Sequence, residues 1–169
     1  MIKIELKKIS VNQRLSEETN CYSADLYVDG VKWGEVCNRG QGGGDDFRGV
    51  AGKDWRDLEV LDRLIAAEFP KISMAEYGMD PMDNSLECVC GQIVEDHMVS
   101  RSVARLVKAN VAFFKEPAVE GKRASLYTIA IKGRPVEVVV AHVKRMNPQA
   151  VILNEMALAD QIAAYRKVA

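Results

Sequence analysis

The segment Asn38-Arg39-Gly40-Gln41-Gly42-Gly43-Gly44-Asp45-Asp46-Phe47-Arg48-Gly49 holds five of the chain's 12 glycines. Glycine loses more freedom on ordering than any other residue, so a run this dense serves packing poorly and asks for a functional reason. Three chemistries fit it. Exposed loops commonly carry recognition, and Arg39, Gln41, Asp45, Asp46 and Arg48 would be the partner-binding side chains. Successive backbone N–H groups could cradle a phosphate, with Arg39 and Arg48 adding charge. Asp45 and Asp46 could hold a hard cation or supply a general base, although two adjacent carboxylates are a weak signal for a cation site and would repel an anion. The segment is neither GxxxxGK[ST] nor a GxGxxG with strand and helix flanks, which argues against a nucleotide fold.

The other groups with chemical potential are two histidines and four cysteines. His97 falls on the apolar stripe of a helix and His142 beside the valines of a strand, positions that suit satisfied core histidines. No G-x-S-x-G or cysteine-protease signature accompanies them, so the sequence leans away from an enzyme and names no catalytic residue, metal or cofactor. Cys88 and Cys90 flank one residue in a helical stretch and therefore point about 200° apart. Cys90 and His97 share a face but lie roughly 10.5 Å apart, too far for one zinc ion. A chain of this length needs no covalent staples, and Cys21, Cys37, Cys88 and Cys90 read as free thiols.

The elements around these groups follow from periodicity. Ile2, Ile4 and Leu6 alternate with Lys3, Glu5 and Lys7 as in a half-buried strand. Cys21–Val28 and Val31–Val36 flank Asp29-Gly30, the signature of a type I′ hairpin, with an irregularity near Gly34. Asp54 caps a helix over Trp55–Phe69 that Pro70 ends. Asn84 and Glu87 resemble a capping box opening a long helix from Ser85 to Asn110, and the run Val111–Phe114 fits helix or strand equally. Gly121 marks a break. Leu126–Ile131 and Val136–Val143, joined by Lys132-Gly133-Arg134-Pro135, read as a second hairpin. Ala150–Leu153 is a short strand and Asn154 the N-cap of a helix from Glu155 to Lys167. The expected fold is α+β, a mainly antiparallel sheet of two hairpins plus edge strands packed with about three helices, in a single domain over residues 1–169.

Composition sets the outer bounds. Of 169 residues, 48% are hydrophobic and 28% charged, enough for a sizeable core and too apolar for a disordered tail. No apolar run reaches the roughly 20 residues that span a bilayer and no signal peptide is evident, so the expected location is cytoplasmic, without a membrane partner. The net charge of -1 excludes the global positive field of a nucleic-acid coat. Charge is nevertheless segregated: Asp54–Asp96 carries 11 acidic and 3 basic residues, and Arg101–Arg145 carries 10 basic and 3 acidic. The halves either neutralise one another or present a basic face to an acidic partner.

The stretch Ala24-Asp25-Leu26-Tyr27-Val28-Asp29-Gly30-Val31-Lys32-Trp33-Gly34-Glu35-Val36-Cys37-Asn38-Arg39-Gly40-Gln41-Gly42-Gly43 resembles small proteins encoded by bacterial phages and prophages. These share an opening of strand, Asp-Gly, strand and Asn-x-Gly-x-Gly-Gly. Ala150–Met156 with its following helix is similar to their ends, while the middle of the chain is unmatched. The resemblance carries over no catalytic residue. It implies an accessory protein in the cytoplasm of a host cell that binds and inhibits a host protein or ribonucleoprotein complex, CRISPR effectors included. A nucleic-acid or nucleotide-binding module using the glycine loop and the basic half is the alternative, and a metal-dependent hydrolase a third. Gly44-Asp45-Asp46 departs from the shared opening and leaves the loop's ligand open.

Overall fold

A computed structural model describes residues 2–117 and 124–168, so the break expected at Gly121 lies outside the described residues. The class is α+β, with four α-helices and two antiparallel sheets among the described residues. The chain divides into two compact units, Met1–His97 and Met98–Ala169. Among the described residues no helix is long and apolar enough to cross a membrane.

In the first unit, β1 (Ile4–Val11), β2 (Tyr22–Val28), β3 (Val31–Asn38) and β4 (Asp46–Gly49) form one antiparallel sheet in that order. Asp29 and Gly30 both adopt positive φ, 50° and 80°, as a type I′ turn demands. The Asp29 carboxylate also accepts from the Lys3 N–H at 2.8 Å, tying β1 to the turn. The expected irregularity is a bulge. Pairing steps from Leu26 opposite Gly34 to Tyr27 opposite Lys32, and Trp33 is the extra residue. It lets Trp33 and Val36, three apart, both bury on a strand where alternation would separate them.

Tyr22, Ala24 and Leu26 bury on one face of β2 as their period-two spacing dictates. Helix α1 (Trp55–Glu68) buries Leu61 and Ile65. It opens with a complete capping box: Asp54 accepts from the Arg56 N–H at 2.8 Å and Asp57 accepts from the Asp54 N–H at 3.0 Å. Helix α2 (Leu86–Ala109) buries Leu86, Val89, Cys90 and Val94 in this unit. The box expected from Asn84 and Glu87 does not form. Ser85 accepts from the Cys88 N–H at 3.2 Å, and Asp62 of α1 accepts from the Leu86 N–H at 2.7 Å, which frees Glu87 for another contact.

In the second unit, β5 (Asn110–Phe114) pairs with β6 (Tyr127–Ala130) on one side and β7 (Val151–Ile152) on the other. The ambiguous run is thus a strand. The second hairpin is corrected: its first arm forms β6, but Val136–Met146 is helix α3. β-Branched composition suggested a strand, yet Val139, Val140 and Val143 fall on one helical side and bury with Val111, Phe113 and Ile152. Glu137 in the first turn and Lys144 and Arg145 in the last suit the helix dipole. His142 consequently is exposed on α3, its Nδ1 3.2 Å from Arg145 Nη2, and is no core residue.

Ala112, Phe114 and Leu153 form a further buried cluster, with Leu106, Val107 and Ala164 packed against it. Asn154 does not cap a helix. It sits in a 3-10 turn, Leu153–Glu155, and helix α4 starts later and is shorter (Leu158–Arg166). Its amide accepts from the Ala112 N–H and donates to the Val107 and Asn110 carbonyls, each at 2.9 Å, sewing the end of α2 to β5.

Asn154→Ala, which strips partners from three backbone groups, is expected to lose at least about 2 kcal/mol in urea unfolding, since each unpaired buried polar group costs roughly 1 to 3 kcal/mol. Leu61→Ala and Trp33→Ala should each cost about 2 to 5 kcal/mol as core truncations. Trp55→Ala, at a side chain 61% exposed, should stay within about 0.5 kcal/mol of the parent chain.

Candidate functional site

The glycine loop is built outward from the end of β3. Asn38 is buried, and its amide meets four partners. Nδ2 donates to the Gly43 carbonyl and to Asp45 Oδ1, both at 3.0 Å, while Oδ1 accepts from the Gly40 N–H and the Thr19 hydroxyl, both at 2.8 Å. The second carboxylate oxygen of Asp45 accepts a short hydrogen bond from the Tyr22 hydroxyl. The Asp45 N–H donates at 3.2 Å to Glu87 Oε1, the side chain released from capping duty on α2. Gly40 has φ 84°, and its carbonyl accepts from the N–H groups of Glu17 and Glu18 at 2.8 and 3.0 Å. A Cβ there would collide with the Leu15 carbonyl, so both conformation and space require glycine. The loop is therefore pinned from within.

Of the five residues singled out in sequence, Asp45 alone turns toward Tyr22. Arg39, Gln41, Asp46 and Arg48 are exposed, and Asp46 and Arg48 pair at 3.3 Å. They surround two adjoining depressions that share Cys37 and Asp46. One, of about 390 Å³, is bordered by Arg39, Gln41, Gly43 and Gly44; the other, of about 350 Å³, lies over the polar face of the sheet beside Lys8, Asp25, Glu35 and Arg48. Strand β4 can lie this close to β3 because Gly34 has no Cβ to strike the Arg48 carbonyl.

Electrostatics follow the same division. On the open face Asp25 is covered by Lys32 at 2.7 Å and by Lys8 at 2.9 Å; Lys8 reaches it from a break in the β1 register, where it holds φ 53°. The Lys32 hydrogen bond, then that of Lys8, holds the Asp25 carboxyl below the usual carboxylate range. On the inner side, burial and then the bond to Asp45 push the Tyr22 phenol well above its ordinary value, and burial does the same to the Cys90 thiol. All four cysteines are free. His97 is half-buried, and its Nε2 has no hydrogen-bond partner among the described residues, contrary to a satisfied core histidine.

Asp45 already accepts from Asn38 and Tyr22, so serving as a base or ligand would require breaking the loop's own support. Among the described residues no group of three or more His, Cys, Asp or Glu side chains is gathered as a metal would need. Sequence reading missed Tyr22, Asn38 and Glu87 as loop determinants. Tyr22 was legible only as a strand core residue and Glu87 only as a cap, because their link to Asp45 is tertiary. No protein-family model matches the chain, and neither the curated proteins nor the solved structures contain a match.

Tyr22→Phe keeps the ring but removes the donor to Asp45, and should lower stability by about 1.5 to 3 kcal/mol, the range for hydrogen bonds to charged groups. Because the folded phenol is raised above its unfolded value of about 10, its contribution is complete below that pH and is lost as pH climbs further. Thermal melts of the parent should thus fall more steeply above about pH 10 than those of Tyr22→Phe; parallel curves would refute the buried Tyr22–Asp45 bond.

Proposed function

We propose that the chain is a non-catalytic binding module that acts by occupying a surface of a host protein or ribonucleoprotein complex, with Arg39, Gln41, Asp46 and Arg48 as the contacting rim. The observation that carries this reading is the orientation of the loop. Its interior bonds fix the backbone through Asn38 and Asp45, while four charged or amide side chains are left exposed around shared depressions. A loop backbone already held in one conformation adds no loop-ordering cost to binding, which favours affinity from a small contact. Asp46 beside Arg48 presents both signs of charge, a pattern that suits a protein surface better than a bare phosphate. The resemblance of Ala24–Gly43 to phage and prophage proteins supplies the biological setting, a bacterial defence complex such as a CRISPR effector.

Affinity capture from a bacterial host lysate with the immobilised chain, followed by mass spectrometry, should recover a defence or nucleic-acid-processing complex. Arg39→Ala combined with Arg48→Ala should weaken that capture at least tenfold while stability shifts by no more than about 0.5 kcal/mol, as exposed loop changes do. Undiminished capture by the folded double variant contradicts the assignment of the rim.

A further inference from the structure

The division into units coincides with a division of charge. Met1–His97 contains 11 basic and 19 acidic residues, and Met98–Ala169 contains 12 basic and 5 acidic, net charges of -8 and +7. Within the second unit, α2 carries Arg101, Arg105 and Lys108, all exposed. At 100° per residue these three positions fall within about 60° of one another, along roughly 10.5 Å of helix. They form one straight stripe.

None of the three side chains makes an ion pair or hydrogen bond among the described residues. Elsewhere surface cations do find carboxylates, as in Lys53–Asp57, Arg63–Glu59, Lys71–Asp83 and Lys144–Glu155. No acidic residue lies three or four positions from any member of the stripe, the reach of a helical side chain; Glu95 and Asp96 are the nearest acids along α2, six and five residues before Arg101. Arg101 and Arg105 are instead i,i+4 neighbours of like charge, a spacing that destabilises a helix. Helix-dipole complementarity accounts for Lys108 in the last turn, but that effect fades within a turn and does not reach Arg101.

We propose that Arg101, Arg105 and Lys108 form a contact for the phosphate backbone of a nucleic acid. A duplex carries one negative charge per roughly 1.7 Å of axis, so a stripe of this length faces several phosphates at once. Guanidinium groups match phosphate oxygens in two-pronged geometry, and the Lys108 ammonium adds a point charge that suits the same oxygens. This inference stands apart from the glycine-loop rim, since it uses different residues in the other unit.

The test is fluorescence anisotropy of the full chain with a labelled 20-base-pair DNA duplex and a labelled 20-nucleotide RNA across a salt series. The parent should bind at low salt, and Arg101→Ala/Arg105→Ala/Lys108→Ala should lose at least tenfold in affinity. Its log–log salt slope on the duplex should be shallower by about 2.7, or 0.9 for each lost contact. A control that removes equal charge elsewhere in the unit, Lys132→Ala/Lys144→Ala/Arg145→Ala, should change affinity less than threefold. If the triple variant does not fold by circular dichroism, Arg105→Gln against Arg105→Lys makes the same comparison, with loss in the first and retention in the second expected. No binding by the parent at low salt overturns the proposal. So does equal loss in stripe and control variants, or binding to phosphatidylserine vesicles in place of both nucleic acids.

Discussion

Asp45 sits where three parts of the first unit meet, and its hydrogen bonds decide what the glycine loop can be. Tyr22 reaches it from β2, Asn38 from the end of β3, and its own N–H reaches Glu87 on α2. A run of Gly42, Gly43 and Gly44 would otherwise have many accessible backbones. With the carboxylate anchored, the chain enters β4 in one register, Asp46 opposite Cys37 and Arg48 opposite Glu35, and both side chains emerge on the open face. Adjacent aspartates thus do opposite work: one supports the loop from inside and the other faces solvent.

The acidic bias of the first unit has a partly structural origin. Asp54 and Asp57 close the start of α1, Asp62 takes the first N–H of α2, Glu68 accepts from the Ile2 N–H, and Glu87 takes the loop. Carboxylates at helix starts satisfy orphaned donors and complement the dipole. Such acids are committed to local contacts and are poorly suited to imitate a nucleic-acid backbone. Among the basic residues of α2 in the second unit only Lys108, in the last turn, has such a local use, and Arg101 and Arg105 have none, which is why the two charge blocks, similar in size, support different readings.

Local chemistry made the first hairpin and α1 legible, because Asp29-Gly30 and Asp54 specify their own geometry. Where tertiary contact decides, the pattern failed. Val136, Val138, Val139, Val140 and Val143 have strand-like composition, and only burial of Val139, Val140 and Val143 against β5 and β7 selects a helix. Asn154 looked like a cap because asparagine is a good one, whereas its amide is consumed by three backbone groups more than forty residues away. At the site, the composition of residues 38–49 located the loop and its exposed charges. It could not say which aspartate turns inward, since that depends on Tyr22 and Glu87, which are distant in sequence.

The most direct measurement is amide hydrogen exchange by NMR at Gly40 and Asp45, whose N–H groups donate to Asn38 Oδ1 and Glu87 Oε1. A loop pinned from within protects both amides well beyond Gly43 in the same loop, and the protection falls at both when Asn38 is replaced by alanine. Exchange of Gly40 and Asp45 at the rate of an unstructured peptide, in a chain otherwise protected, would contradict a preformed loop and with it the fixed rim of Arg39, Gln41, Asp46 and Arg48.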